Sequence, residues 1–250
     1  MASTRLYSEA LEQFQAGVLS RRKDASTQKL LQDFLLDGKS NFSTPAAAKA
    51  ACNNLATDAG QKYGGIKIGK IEVVPKVWVD TVLGNIDNIV AAGSLMTKNA
   101  PESIGVAWYA ISLSLKAISN NYSLYALFGK GLTDITEVMI IILHYDRVYD
   151  RYQGPNSETS DIVRKLFRDT VSAYVAVLDF SFSVKKHMSG DAVDKIRHGI
   201  KDFFGAQAPK FQGKLSAIAT LKGKILDNEY PQATSRVRSC LVTGGQRNGR

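Results

Sequence analysis

The 250-residue chain carries 32 Lys and Arg against 23 Asp and Glu, a formal charge of +9, and 44% of its residues are hydrophobic. That is enough apolar material for a full core, while no charge-free apolar run approaches the length of a membrane span. Two cysteines far apart in sequence, Cys52 and Cys240, and an N-terminus that mixes Arg5, Glu9 and Glu12 into its apolar positions predict a reduced, cytoplasmic chain without a signal peptide.

Leu6, Ala10 or Leu11, Phe14 and Val18 recur at three- and four-residue spacing and predict a first helix from about Ser3 to Leu19. After the basic cluster Arg21-Arg22-Lys23, Asp24 or Ser26 is placed to cap a second helix carrying Leu30, Leu31, Phe34 and Leu35, with Gly38 as its stop. Thr44-Pro45 opens a helix of small residues through Ala59, and Gln61 to Val74, with three glycines and alternating isoleucines, reads as a loop or short hairpin. Pro75 opens a helix that Gly93 closes.

The stretch from Pro101 to Tyr152 is the organising element. Leu124, Phe128, Leu132, Ile135, Val138 or Met139, Ile142, Tyr145 and Tyr149 line one helix face. The run Val138 to Leu143 is apolar on every side, which suits a central helix surrounded by neighbours and not a surface helix. Asn120-Asn121 marks a break between two helices in this stretch. Gly154-Pro155-Asn156 is a turn, and Ser157 caps a long helix to Lys186 with Val163, Phe167, Thr170 or Val171, Tyr174, Leu178 and Phe182 inward. An amphipathic helix from Asp191 to Phe204 follows. Pro209 then begins a last one through Phe211, Leu215, Ile218, Leu221 and Ile225. The expected fold is all-α: a single multi-helix bundle over residues 1–230 with a long central helix, then a polar, basic, disordered tail over 231–250.

The excess positive charge is concentrated late in the chain. Between Lys185 and Lys224 stand nine Lys or Arg against three Asp, and Arg236 to Arg250 adds four arginines and no acid. Lys185, Lys186, Lys195, Arg197 and Lys201 are the expected membrane- or anion-binding residues, with Phe203 and Phe204 beside them to enter an anionic lipid surface. A solvated basic face that only confers solubility is the plain alternative.

Catalytic chemistry is weakly signalled. Gly64-x-x-x-x-Gly69-Lys70 matches most of a phosphate-binding loop, but Ile71 stands where a magnesium-binding Ser or Thr belongs. Asp146 and Asp150, one helical turn apart, could hold magnesium against a diphosphate; a solvated helix end in which Arg147 pairs with Asp150 explains them more simply. His144, His187 and His198 are scattered, and no metal-ligand or nucleophile pattern forms. No cofactor, metal or sequence-specific nucleic acid is expected, and a non-enzymatic role is favoured.

Three passages carry a family resemblance: Pro101-Glu-Ser-Ile-Gly-Val-Ala-Trp-Tyr-Ala-Ile, Tyr122-Ser-Leu-Tyr-Ala-Leu-Phe-Gly-Lys-Gly-Leu-Thr-Asp-Ile, and Leu143-His-Tyr-Asp-Arg-Val-Tyr. A proline-opened helix, a helix ending in aromatic and acidic residues, and a long helix like Ser157 to Lys186 resemble the N-terminal helical domains of fungal STAND proteins, the NLR-like group, especially the Goodbye type. The resemblance covers roughly residues 5 to 228. It implies a regulatory or effector module that in its relatives precedes a NACHT or NB-ARC nucleotide-binding domain and takes part in self-recognition or programmed-cell-death signalling. No such domain lies within these residues, so an excised module or a stand-alone relative is expected, with no catalytic residues to carry over. The functional expectation is thus a helical interaction or effector module acting through a protein partner or self-association, with a peripheral membrane-binding protein and a magnesium-diphosphate enzyme as alternatives.

Overall fold

In the computed structural model the described residues are 5–21, 24–40, 50, 53–54, 67–68, 71–72, 84–85, 87, 106, 109, 131–145, 161–188 and 192–227. Helix α1 is Arg5–Arg21 and α2 is Ala25–Ser40. Residues 131–145 form α3. Helix α4 is Asp161–Met188 and α5 is Ala192–Asp227. A two-residue strand pair, β1 (Lys67–Ile68) and β2 (Ile71–Glu72), joins antiparallel with Lys67 opposite Glu72 and Ile68 opposite Ile71. The described fold is therefore a helical bundle with one small hairpin, and the short excursion expected near Ile68 is present.

Helix α3 holds the centre, as its all-round apolar sequence requires. Val138, Met139, Ile140, Ile141, Ile142 and Leu143 are all buried, four of them completely. Full burial of a side chain of this size is worth roughly 1.5–3 kcal/mol relative to exposure, so six in succession hold the helix where several neighbours meet. Those neighbours are identifiable. On α1, the Tyr7 hydroxyl donates to the Met139 carbonyl at 3.5 Å. On α4, the Phe167 ring stands edge-on to Tyr145 at 6.5 Å. On α5, Leu215 lies against Gly131, and Lys222 donates to Asp134 and, at 2.5 Å, to Glu137. Asn85 donates to the buried Thr136 hydroxyl at 2.9 Å, and that hydroxyl satisfies the Leu132 and Thr133 carbonyls within its own helix at 3.0 and 2.9 Å.

Of α1, α2 and α5, helix α4 packs most extensively against α5 and then α1. It buries the expected stripe of Phe167, Thr170, Val171, Tyr174, Leu178 and Phe182, with Val163 partly covered, and in addition Leu166, Ala173, Val177, Phe180, Ser181 and Val184. Its buried hydroxyls are satisfied locally: Thr170 donates to the Leu166 carbonyl and Ser181 to the Val177 carbonyl, both at 2.8 Å. Phe14, Phe34 and Phe182 form a triangle with centroids 5.7 to 6.0 Å apart, and Tyr109 joins Phe34 at 5.6 Å. Aromatic edges meeting faces in this way add about 0.5–1.5 kcal/mol per pair beyond the area they bury.

Three helix ends differ from expectation. Helix α1 runs to Arg21, and α2 passes through Gly38 to Ser40. Pro209 does not open a helix: it lies inside the continuous 36-residue α5. A proline there removes one intrahelical hydrogen bond and crowds the carbonyl four residues back, at a cost of about 3 kcal/mol. The burial of Phe211, Leu215, Ile218 and Ile225 on the same helix is what holds α5 continuous through it. The turn at Gly154-Pro155-Asn156, the Ser157 cap, the Asn120-Asn121 break, most of the small-residue helix and the tail 231–250 lie outside the described residues.

A methyl group at Gly131 would stand 2.7 Å from Leu215 Cδ1, whereas one at Gly213 meets nothing within 4 Å. The same substitution should therefore have opposite signs at the two positions. Gly131→Ala is expected to destabilise by about 1–3 kcal/mol through overpacking. Gly213→Ala should stabilise by up to about 1 kcal/mol through helix propensity and a less flexible unfolded chain. Urea denaturation of both variants measures the difference.

Candidate anion-binding site

Helices α1, α2, α4 and α5 leave between them a cleft of about 430 Å³ lined by Val18, Arg21, Thr27, Asp179, Phe182, Ser183, Lys186, Lys210, Phe211 and Lys214. The sequence dictates its construction. Val18 and Phe182 are inward positions of α1 and α4, and Phe211 is an inward position of α5, so the floor is apolar and continuous with the core. Residues one turn along each helix, or on the flank of the inward stripe, bring charge to the rim. Arg21 sits in the last turn of α1, where a cation complements the helix dipole.

Asp179 is the only carboxylate lining the cleft among the described residues and acts as a strut between helices. It accepts from Arg21 of α1 at 3.1 Å and from Lys214 of α5. Arg21 is also fixed by its own helix, since its Nε donates to the Gly17 carbonyl at 2.9 Å. Ser183 donates to the Asp179 carbonyl at 2.7 Å. Thr27 is held by the start of α2. Asp24, not Ser26, is the cap: its carboxylate accepts from the Thr27 amide at 2.7 Å and from the Ser26 hydroxyl at 2.5 Å, and the Gln28 amide reaches the Asp24 carbonyl at 3.1 Å. The Ser26 and Thr27 hydrogen bonds hold the Asp24 carboxyl well below the usual carboxylate range, at about 2.

Lys186 and Lys210 have no ion-pair partner among the described residues, although they line the same cleft as Asp179. Four cations and one carboxylate leave a concave surface with three uncompensated positive charges. Water is displaced from its floor by Val18, Phe182 and Phe211. Such a surface attracts anions more strongly than a flat basic face does, because the low-dielectric walls focus the field.

The expected site residues separate on inspection. Lys186 belongs to the cleft. Its neighbour Lys185 points elsewhere: its ammonium donates to Asp37 at 2.7 Å and lies 5.7 Å from the centre of the Tyr109 ring, while the Tyr109 hydroxyl donates to the same Asp37 oxygen at 2.7 Å. Burial works against the charges of both Lys185 and Asp37. The pair outweighs it, so the ammonium is pushed up and the carboxyl down from their ordinary values. Burial first, and then the hydrogen bond to Asp37, pushes the Tyr109 hydroxyl up. This trio ties the end of α2 to α4. Lys195, Arg197 and Lys201 lie on the first half of α5, where side chains fall outside the described residues, as do Asp146 and Asp150. The strand pair agrees with the reading of this stretch as a short hairpin and not as a phosphate-binding loop. Only Gly69 and Lys70 separate two paired strands, whereas a phosphate-binding loop leads from a strand into a helix. Among the described residues no group of His, Cys, Asp or Glu is placed to share a metal ion, and no helix is long and apolar enough to cross a membrane.

Arg21, Lys210 and Lys214 were not among the sequence-expected anion-binding residues. Their signal in the sequence was a basic residue at a helix end and two lysines four apart on α5. Nothing local joined them across helices. Comparison with family models, curated proteins and solved structures returns no match.

The capping carboxylate gives a pH signature with a definite sign. Because the Asp24 value falls from 3.8 to about 2 on folding, the unfolded chain takes up the proton first as the solution is acidified. The contribution of the cap is complete above about pH 4 and is lost as pH falls towards 2. Asp24→Asn keeps an acceptor at the cap but removes this titration, so its melting temperature should fall less steeply than that of the wild type over the same acid range. Thermal melts across that range check it.

Proposed function

We propose that the protein is a non-enzymatic helical interaction module whose working surface is the basic cleft, serving as an effector element in fungal NLR-like signalling of the self-recognition or programmed-cell-death kind. The observation that carries the interaction reading is the cleft itself. Lys185 and Lys222 are tied to carboxylates, whereas Lys186 and Lys210 face a shared concavity and have no ion-pair partner among the described residues. The resemblance to the Goodbye-type domains, over roughly residues 5 to 228, supports the signalling context. The protein acts in the cytoplasm through an acidic partner.

A second reading, peripheral association with an anionic membrane, draws support from the same two lysines. It draws less from Lys185, whose charge is neutralised by Asp37. An acidic lipid would have to compete with a carboxylate already in place.

Expression in a fungal host tests the effector reading. The wild-type chain should slow growth, and Lys186→Glu combined with Lys210→Glu should restore growth to the level of an empty vector at equal protein abundance and with an unchanged melting curve. Equal growth of wild type and vector would contradict the proposal.

A further inference from the structure

We infer that the cleft binds a phosphomonoester carried on a compact organic body, with Lys186 and Lys210 as the ligating cations and the Asp179 strut holding Arg21 and Lys214 beside them. This rests on the reading of the cleft as the working surface and adds the chemistry of what enters it.

The charge balance favours phosphate over carboxylate. Asp179 already satisfies part of the demand from Arg21 and Lys214, at 3.1 Å from the former. Three positive charges remain. A single carboxylate cancels one of them, whereas a phosphomonoester brings about −1.5 to −2 near neutral pH and three acceptor oxygens that two or three ammonium groups can share. The hydroxyls at the site favour the same arrangement. Ser183 donates to the Asp179 carbonyl, and the Thr27 hydroxyl as well as its amide is engaged with Asp24, so the donors the cleft offers a ligand are cationic nitrogens. Asp24, near the Thr27 wall, has its carboxylate occupied by Ser26 and Thr27.

Size then defines the body of the ligand. A cleft of about 430 Å³ is far larger than bare phosphate and lies within the range of small-molecule sites. The apolar floor of Val18, Phe182 and Phe211 would accept the carbon face of a polyol or sugar while its phosphates reach the rim lysines. A membrane lipid headgroup and a free phosphorylated polyol share this chemistry.

Isothermal titration of the full chain with inositol trisphosphate at low salt tests the inference, alongside flotation with phosphatidylcholine vesicles with and without phosphatidylinositol bisphosphate. Saturable binding is expected, weakened at least tenfold in Lys186→Ala/Lys210→Ala. Neither lysine has an ion-pair partner among the described residues, so the double variant should fold normally, and an unchanged melting curve confirms it. Affinity should rise as pH climbs from about 5 to about 7.5, because the second phosphate proton leaves near pH 6; inositol hexasulfate, whose charge is fixed, should show no such rise. Flotation that soluble inositol trisphosphate competes away assigns the ligand to a headgroup, and titration without flotation assigns it to a soluble molecule. Absence of both, or binding equal in the double variant, overturns the inference. If phosphate binding is absent and the Lys186→Glu/Lys210→Glu variant still loses its growth phenotype, the interaction module stands and only the phosphate ligand falls.

Discussion

Burial of α3 on all sides is the constraint from which the rest of the described structure follows. A helix with six consecutive buried apolar residues offers no face to water, so each neighbouring helix must supply an apolar stripe against it. Helices α1, α4 and α5 do so, α4 through Phe167 against Tyr145, and polar ties fix the register: Tyr7 of α1 to the Met139 carbonyl, Asn85, outside these helices, to Thr136, and Lys222 of α5 to Asp134 and Glu137. The last tie has a particular consequence. Burial opposes the charge of Lys222, yet the two carboxylates outweigh it and raise its affinity for the proton. Removing the lysine would leave the nearly buried Asp134 without a counter-charge, which is more harmful than never having had the pair.

The same logic organises the charges farther out. A basic protein with helices this close together can use its lysines as struts or leave them to solvent and ligands, and here both uses occur on α4 and α5. Lys185, Lys214 and Lys222 join elements 148, 35 and 88 residues apart in sequence. Among the described cations with no ion pair, Lys29, Lys165, Arg168 and Lys224 are exposed away from the cleft, whereas Lys186 and Lys210 share one concave place, between the end of α1, the start of α2, and the facing sides of α4 and α5. The site is thus a by-product of how the bundle closes: the core residues Phe182 and Phe211 make its floor, and the flanking positions of the same helices make its rim.

Periodicity made the helices legible. The stripes Leu6-Phe14-Val18, Leu31-Phe34 and Phe167-Tyr174-Leu178 were readable from spacing alone, and the all-apolar run at Val138–Leu143 correctly marked the central element. What periodicity does not encode is the partner across space. Tyr7 stands outside the Leu6-Phe14-Val18 stripe, but it is fully buried with its ring edge-on to Tyr174 at 5.0 Å. Asn85 carries no spacing signal, but it is buried and donates to the Thr136 hydroxyl. Lys185 and Lys186 read as one basic patch because they are adjacent. Successive residues on a helix point about 100° apart, and that angle sends one to Asp37 and the other to the cleft. Pro209 misled for the opposite reason: its local signal for a helix start is strong, and tertiary packing of α5 overrides it.

Native-state hydrogen exchange of the full chain tests the central position of α3 most directly. Amides of residues 138–143 should exchange only through global unfolding, with an opening free energy equal to that from urea denaturation and a matching denaturant dependence. Exchange of those amides as fast as that of the first turn of α1, with little dependence on urea, would show that α3 opens on its own and would contradict a bundle built around it.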